Sequence, residues 1–359
     1  MADEHASETM VPIEAIQTVD PEVIAKIPLA TQISIVPHGI SLWTRTARLD
    51  VERDGVRKAY FLKTSYGALG RAMTQSEFRC MSRMRRVAPD LVPEPLASGS
   101  FSSVPDVHFL LCEFRRMTGT VPVPEALAAK IAELHRCSGG GSGGKFGSDV
   151  PTFHGNVRVD HGWSGSWEEY FARTTKVLFG LEQEAQGPNE EIKAMIAPFF
   201  DKVVPRLLRP LETGGRSIQP CLIHGDLWHG NAETDAETGL PVIFDAASFY
   251  AHNECEMRAD ELGVWRQPWN KIGEAYRAEY HKYMPKSQPE EDCDDRNALY
   301  AVDTNNIDRG SRVNILDSIL YKDDPSYRHM LISGMRELVD KFPGGFEEWD
   351  ASQEKEAYK

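Results

Sequence analysis

The run Cys221-Leu-Ile-His-Gly-Asp-Leu-Trp-His-Gly-Asn231 carries side chains suited to one kind of chemistry. An apolar stretch leads into His224-Gly225-Asp226, and Asn231 follows Asp226 by five residues. A second apolar stretch, Val242-Ile243-Phe244, ends at Asp245. Phosphoryl transfer from a nucleotide needs one carboxylate to orient or deprotonate the attacking hydroxyl. It also needs an Asn and a second Asp to hold the magnesium ions that bridge the phosphates. Asp226, Asn231 and Asp245 have that order and spacing. Asp226 is the candidate catalytic base, a role that requires hydrogen-bond reach to the acceptor. Asn231 and Asp245 offer the hard oxygens that magnesium prefers. His224 reads as a brace for the loop, because nothing here demands an imidazole base.

A nucleotide also has to be positioned. Lys63 ends a predicted strand, residues 59–63, and Glu77 lies early in a predicted helix, residues 73–87; such a pair can hold the α- and β-phosphates. The turn Gly39-Ile40-Ser41 stands between two predicted strands, where backbone amides could cover phosphates. Gly39 and Ser41 therefore join the nucleotide-side candidates. So do Glu113 and Phe114, where the chain leaves a strand for the helical part and can offer backbone groups to adenine. After Asp245, Asn253 is expected to cap a helix with Glu256 at the capping-box position, while Glu254 could face a cationic substrate. No HExxH or Walker A sequence competes.

These residues need elements to carry them. Residues 1–18 read as a flexible tail. Asp20 caps a short helix with Pro21 at its first position. Strands are predicted at 33–36, 43–51 and 59–63, with Asp54-Gly55 as a hairpin turn. Strand-like segments at 104–114 complete a small strand-rich lobe, 19–115, with one main helix. The rest, 116–359, is mostly helical, with helices expected at 124–136, 166–179, 190–208 (bent at Pro198 and Pro205), 260–284 and 327–342. Residues 139–144 are a Gly/Ser run, expected to be a flexible surface loop. The fold class is α+β.

Composition narrows the partners. The chain has 359 residues, 41% hydrophobic and 26% charged, which fits a globular enzyme. Its net charge of −14 lacks the basic excess that nucleic acid requires. The six cysteines form no CxxC pair, as expected of reduced thiols in a cytoplasmic protein. The acidic N-terminus lacks the apolar core of a signal peptide, and no stretch approaches the roughly 20 apolar residues of a membrane span.

At these residues the chain resembles the fructosamine-3-kinase family, also called ketosamine or protein-ribulosamine kinases, in the superfamily of aminoglycoside and choline kinases. The resemblance rests on His224-Gly-Asp-Leu-Trp228-x-Gly-Asn231, on Asp245-x-Ala-Ser-Phe-Tyr250-x-His252-x-Glu254-x-Glu256, on Lys145-Phe-Gly147, and on Trp163-x-x-x-Trp167-x-x-x-Phe171. It implies a two-lobed protein-kinase-like fold: a small antiparallel-sheet N-lobe, a larger helical C-lobe, and ATP with magnesium between them. It further implies phosphorylation of the sugar 3-hydroxyl of ketoamines, such as ribulosamine or fructosamine on protein lysines. The phosphorylated adduct would then release the free amine, a deglycation repair. Trp228, Tyr250, His252, Glu254 and His161 are its acceptor-side candidates. Departures are Val159 and His161, where the family tends to show Gln and Asn; Ala246 in place of a Pro; and Asn305-Asn306-Ile-Asp-Arg-Gly310, which matches the family's Asn- and His-rich helix poorly. The altered acceptor side leaves open a kinase of another hydroxyl acceptor, such as an aminoglycoside or amino alcohol. A non-catalytic nucleotide-binding protein is the third reading.

Overall fold

The computed structural model describes residues 10–27, 32–256, 271–303 and 315–357. In chain order the elements are α1 (Pro21–Ile24), β1 (Gln32–Ile40), β2 (Thr44–Arg53), β3 (Val56–Tyr66), α2 (Gly67–Val87), β4 (Pro95–Ser100), β5 (Val107–Glu113) and α3 (Pro124–Ser138). There follow β6 (Phe146–Ser148), β7 (Thr152–His154), β8 (Val157–Val159), β9 (Gly162–Ser164), α4 (Trp167–Gln186), α5 (Glu190–Pro198) and α6 (Val204–Leu208). The remainder comprises β10 (Cys221–Ile223), β11 (Ala232–Thr234), β12 (Pro241–Ile243), β13 (Phe249–Ala251), α7 (Asn253–Glu256), α8 (Glu274–Tyr283), α9 (Cys293–Asp303), α10 (Ile315–Leu320), α11 (Pro325–Lys341) and α12 (Gly345–Ala357).

The chain forms two units. One gathers Met1–Thr120, Val150–Arg158 and Ala232–Ala247; the other gathers Val121–Asp149, Val159–Asn231 and Ser248–Lys359. This differs from a single division at residue 115, because β7, most of β8, and the β11–β12 hairpin join the first unit.

The first unit is built on an antiparallel sheet in the order β1-β2-β3-β5-β4. The β2–β3 hairpin closes on Asp54 (φ 51°) and Gly55 (φ 77°). Two consecutive positive φ values give the primed turn whose twist matches the strands. Along β3 the side chains alternate. Tyr60 and Leu62 are buried with Leu49, Val51, Phe109 and Leu111, while Phe61 and Lys63 occupy the other face. α2 lies on the Lys63 face, joined to it through Glu77.

The second face of the sheet holds a correction. Val11, Ala15 and Ile16 are buried in that core with Val23 and Ile27, and Arg45 Nε donates to the Val11 carbonyl at 2.7 Å. Residues 11–16 are thus a cover for the sheet rather than a loose tail. The stretch is only six residues long and has no helical or strand period to mark it in sequence. Asp20 fixes the entry to α1, accepting from Glu22 N and from the amides and hydroxyls of Ser102 and Ser103.

The second unit packs helices around a small sheet in the order β10-β13-β6-β9. The expected helix at 190–208 is interrupted by a π-helical turn, Phe199–Val203, between Pro198 and Pro205. Proline cannot donate to the helical ladder, and the wider turn takes up the misfit. The first four residues of the Gly/Ser run form a 3-10 turn, Gly139–Ser142, rather than an irregular loop. There a Cβ on Gly141 would stand 1.9 Å from the Tyr250 hydroxyl. The helix expected at 260–284 is described only from Glu274, and residues 305–310 lie outside the described residues. Among the described residues, no helix is long and apolar enough to cross a membrane.

Candidate active site

In the first unit, β3 delivers Lys63, α2 delivers Glu77, and the end of the β11–β12 hairpin delivers Asp245. Lys63 Nζ stands 2.8 Å from Glu77 Oε2 and 3.2 Å from Asp245 Oδ1. The hairpin is tied in by Ile243 N, which donates to the Leu91 carbonyl just beyond α2 at 2.9 Å. Asp245 itself has φ 60°, a left-handed conformation that Asp tolerates better than most residues.

Charge explains how the three settle. Burial alone would depress the Lys63 ammonium, but Asp245 and Glu77 outweigh it and raise its pKa. Two carboxylates against one ammonium leave an excess. Burial raises the Glu77 pKa to about 7, with Asp245 adding to the rise, despite the opposing Lys63.

The remaining nucleotide-side candidates divide. Gly39 pairs with Thr46 in the β1–β2 ladder, and a Cβ there would meet Thr46 Oγ1 at 3.0 Å. Ser41 closes the following turn: its N donates to the Thr44 carbonyl, and its Oγ accepts from Trp43 N and Thr44 N. Of the turn Gly39-Ile40-Ser41, the Ser41 amide is therefore committed to Thr44. Glu113 N donates to the Glu94 carbonyl and Phe114 N to the Ala59 carbonyl. Phe114 lines an open cavity of about 960 Å³ together with Arg48, Asp50, Ala59 and Glu113. The Arg48 guanidinium stands 5.0 Å from the Phe114 ring centre. His38 meets Phe114 and Phe61 edge-on, at 5.6 and 6.1 Å. His38, Arg48 and Phe61 were missed in the sequence, although Phe61 lies two residues before Lys63 on the same strand face and Arg48 is its cross-strand partner.

In the second unit, β10 leads into the loop carrying Asp226. Gly225 turns it with φ 81°. Asp226 N donates to His224 Nδ1 at 3.2 Å, so His224 braces the loop as expected. Asn231 Nδ2 donates to the Asp226 carbonyl at 2.7 Å and to Asp226 Oδ2 at 3.0 Å. Both acceptors lack hydrogens, so the amide orientation of Asn231 is forced and its Oδ1 faces away from them. Trp228 lies across Gly230, where a Cβ would fall 2.4 Å from the indole ring. Only glycine allows that approach.

Magnesium asks for a few hard oxygens and keeps several waters, using one or two protein carboxylates plus substrate phosphates. Asp245, in the first unit, and Asn231, in the second, each carry a hard oxygen of that kind. Among the described residues, no cluster of three or more His, Cys, Asp or Glu forms a metal cage.

The acceptor-side candidates are largely corrected. Glu254 is buried, with Arg296 Nε donating to its Oε2 at 2.7 Å and Ser287 N to its Oε1 at 2.7 Å. Burial opposes its charge, but His252 and Arg296 hold its pKa below the ordinary value. It is already neutralised and does not face a cationic substrate. His252 is buried between the Tyr300 hydroxyl (2.9 Å) and Ser287 Oγ (2.8 Å), and burial drives its pKa from 6.5 to about 4. His161 is buried, bonded to the Tyr170 hydroxyl and stacked on Phe249 at 4.3 Å. Tyr250 is also buried. Of the five, Trp228 alone keeps partial exposure.

Glu256 is not a capping-box partner either. Its Oε2 accepts from His224 N at 2.5 Å and lies 3.0 Å from His135 Nε2, and its Oε1 accepts from Gly225 N at 2.9 Å. Burial again opposes the charge, but the His135 hydrogen bond, the His135 and His224 rings and the Gly225 amide keep its pKa low.

Comparison with known proteins accords with this arrangement. The profile of the fructosamine kinase family matches residues 46–304, more than half of the chain. The chain belongs to the fructosamine kinase family. The protein-ribulosamine 3-kinase of Arabidopsis thaliana, designated chloroplastic, is 29% identical over 250 residues, covering 67% of this chain and 68% of that protein. Among solved structures, a protein of Thermobifida fusca described as a fructosamine-3-kinase superposes with a TM-score of 0.64 at 18% identity, covering 90% of this chain and 100% of that one. The aminoglycoside phosphotransferase APH(4)-Ia, in a ternary complex with AMP-PNP and hygromycin B, superposes with a TM-score of 0.57 at 14% identity, covering 90% and 98%. The fold is the α+β kinase-like fold, with an antiparallel-sheet N-terminal region and a helical C-terminal part. Family membership and fold together make this member of the fructosamine kinase family a nucleotide-using phosphotransferase.

Proposed function

We propose that the protein is an ATP-dependent kinase acting on the sugar 3-hydroxyl of ketoamines, with ribulosamine or fructosamine adducts of lysine as acceptors. The observation that carries the phosphotransferase part is the pairing of one lysine, Lys63, with both Glu77 and Asp245. The acceptor class rests on family membership and on the ribulosamine kinase relative. Lys63, oriented by Glu77, neutralises the α- and β-phosphates. Gly39 and Ser41 shape the turn over them. Glu113 and Phe114 border the place for the base. Asn231 and Asp245 are the residues that would hold magnesium, which would supply neutralisation of charge on the transferred group. Asp226 accepts the acceptor's hydroxyl proton, its carboxylate held in place by the Asn231 amide. Trp228 offers the acceptor an apolar face.

Adducts on protein lysines, rather than free ketoamines alone, belong to the same proposal, as does release of the amine from the phosphorylated product. So does a cytoplasmic setting, with which six free cysteines agree. The deciding experiment is magnesium-dependent ATP turnover on ribulosamine-lysine and fructosamine-lysine, measured beside aminoglycosides and amino alcohols. Turnover confined to the ketoamines is expected. Turnover only on another acceptor would replace the substrate, and binding of ATP without consumption on any acceptor would leave a non-catalytic nucleotide-binding protein.

A further inference from the structure

We propose that Glu256 is a positioning residue that sets the Asp226 loop in its working geometry, acting through backbone amides rather than on substrate. The inference rests on the reading of Asp226 as the base. Three consecutive amides in this loop have defined acceptors. His224 N and Gly225 N donate to the two oxygens of Glu256, and Asp226 N donates to His224 Nδ1. A carboxylate is suited to two adjacent amides because it has two acceptor oxygens and, when ionised, no donor. Glutamine, of the same size, would turn an NH2 donor towards one of them.

Glu256 is itself held. His135 on α3 meets its Oε2 at 3.0 Å through Nε2, and His135 Nδ1 lies 2.8 Å from the Tyr280 hydroxyl of α8. Asn253 Nδ2 donates to that hydroxyl oxygen at 3.1 Å. The direction of donation is consistent along the chain: Asn253 to Tyr280, Tyr280 to His135, His135 to Glu256, which takes the loop amides. His135, Glu256 and Tyr280 are buried, so water does not substitute for a lost partner. The loop's position is thereby set by three helices. A displacement of the base of about 1 Å is worth on the order of 10²-fold in rate.

Glu256→Gln tests this, with Glu254→Gln as comparator, since Glu254 is equally buried two residues away but serves Arg296 and Ser287. Two readouts are taken: steady-state kinetics, and amide hydrogen exchange of a peptide spanning His224 and Gly225. Glu256→Gln is expected to lower kcat by about 10²-fold with KM for ATP within about twofold, and to speed exchange at those amides at least about tenfold. Glu254→Gln is expected to lower the melting temperature while kcat of folded enzyme and loop exchange stay at wild-type values. Should Glu256→Gln not fold, His135→Phe removes one support of Glu256 and is expected to lower kcat about fivefold, again without raising KM for ATP. Unchanged exchange overturns the proposal. So does faster exchange with unchanged kcat, or a rise in KM for ATP matching the loss in kcat. If the wild-type enzyme turns over no ketoamine, the acceptor assignment fails, while the exchange comparison still decides whether Glu256 anchors the loop.

Discussion

Asp245 and Asp226 are both carboxylates expected at the reaction, yet the two units hold them by different means. Asp245 is held by charge. Its side chain is 45% exposed, its named partner is the Lys63 ammonium, and it adopts a left-handed backbone without being glycine. Asp226 is held by hydrogen bonds with an uncharged amide and a histidine ring. Gly225 supplies the positive φ, the His224 ring takes the Asp226 amide, and Asn231 grips both its carbonyl and its carboxylate. An ion pair tolerates movement of its members, which would suit the magnesium ligand proposed for Asp245. A hydrogen-bonded loop does not tolerate it, which would suit the base proposed for Asp226.

The largest effect should fall on the rigid side. Asp226→Ala is expected to lower kcat by about 10³-fold, with ATP affinity nearly unchanged by calorimetry; retained turnover would remove Asp226 from its role. Next comes the packing behind the loop. Arg296→Met leaves Glu254 without its counter-charge in a dry interior, with the Ser287 amide still donating to it, a loss of about 3 kcal/mol. Thermal unfolding should show a large fall in melting temperature, and a shift of only a degree or two would mean that water reaches Glu254.

Acid should separate the same region. The His252 pKa is 6.5 ordinarily and about 4 when folded. Between those values the unfolded chain binds a proton that the folded chain refuses, so stability is lost as pH falls from about 6.5 towards 4, up to about 3 kcal/mol. His252→Asn should flatten the melting temperature over that window, and an unchanged acid slope would contradict the burial of a neutral ring. The smallest effect is expected on the ion-paired side. Lys63→Met should weaken ATP binding about tenfold, the worth of one charge-assisted contact. It should lower the melting temperature less than Arg296→Met, because Glu77, already raised to about 7, can take up a proton when its partner is gone. A collapse of stability equal to that of Arg296→Met would erase the contrast between the two sides.

How much of this was legible before any coordinates depended on how each residue is held. Asp226, Asn231, Asp245, Lys63 and Glu77 could be named from spacing, because strand ends and tight loops fix polar residues at set intervals along the chain. The structure then joins Lys63, Glu77 and Asp245 in one cluster and Asp226 with Asn231 in another. Glu254, His252 and His161 were misjudged for one reason. A polar residue in a motif looks the same whether it faces a ligand or a buried partner, and the partners Arg296, Tyr300 and Tyr170 lie 42, 48 and 9 residues away. Glu256 shows the reverse case. Its partners His224 and Gly225 lie 32 and 31 residues before it, so local helix-capping rules pointed to the wrong donors. His38, Arg48 and Phe61 needed the register of three strands, which period-two alternation hints at and only pairing fixes.

The first unit is assembled from residues 1–120, 150–158 and 232–247. On a ribosome those pieces emerge far apart in time. A nascent chain ending at residue 120 has Lys63 and Glu77 but neither the β11–β12 hairpin nor Asp245, and the stretch containing Asp226 is made before that hairpin appears. The cluster of Lys63, Glu77 and Asp245 is therefore the later of the two to be finished during synthesis, although it contains the earlier residues. A gene fragment encoding the N-terminal sheet for the same reason lacks the complete cluster, and any circular permutation must keep the hairpin's return path to Leu91 intact.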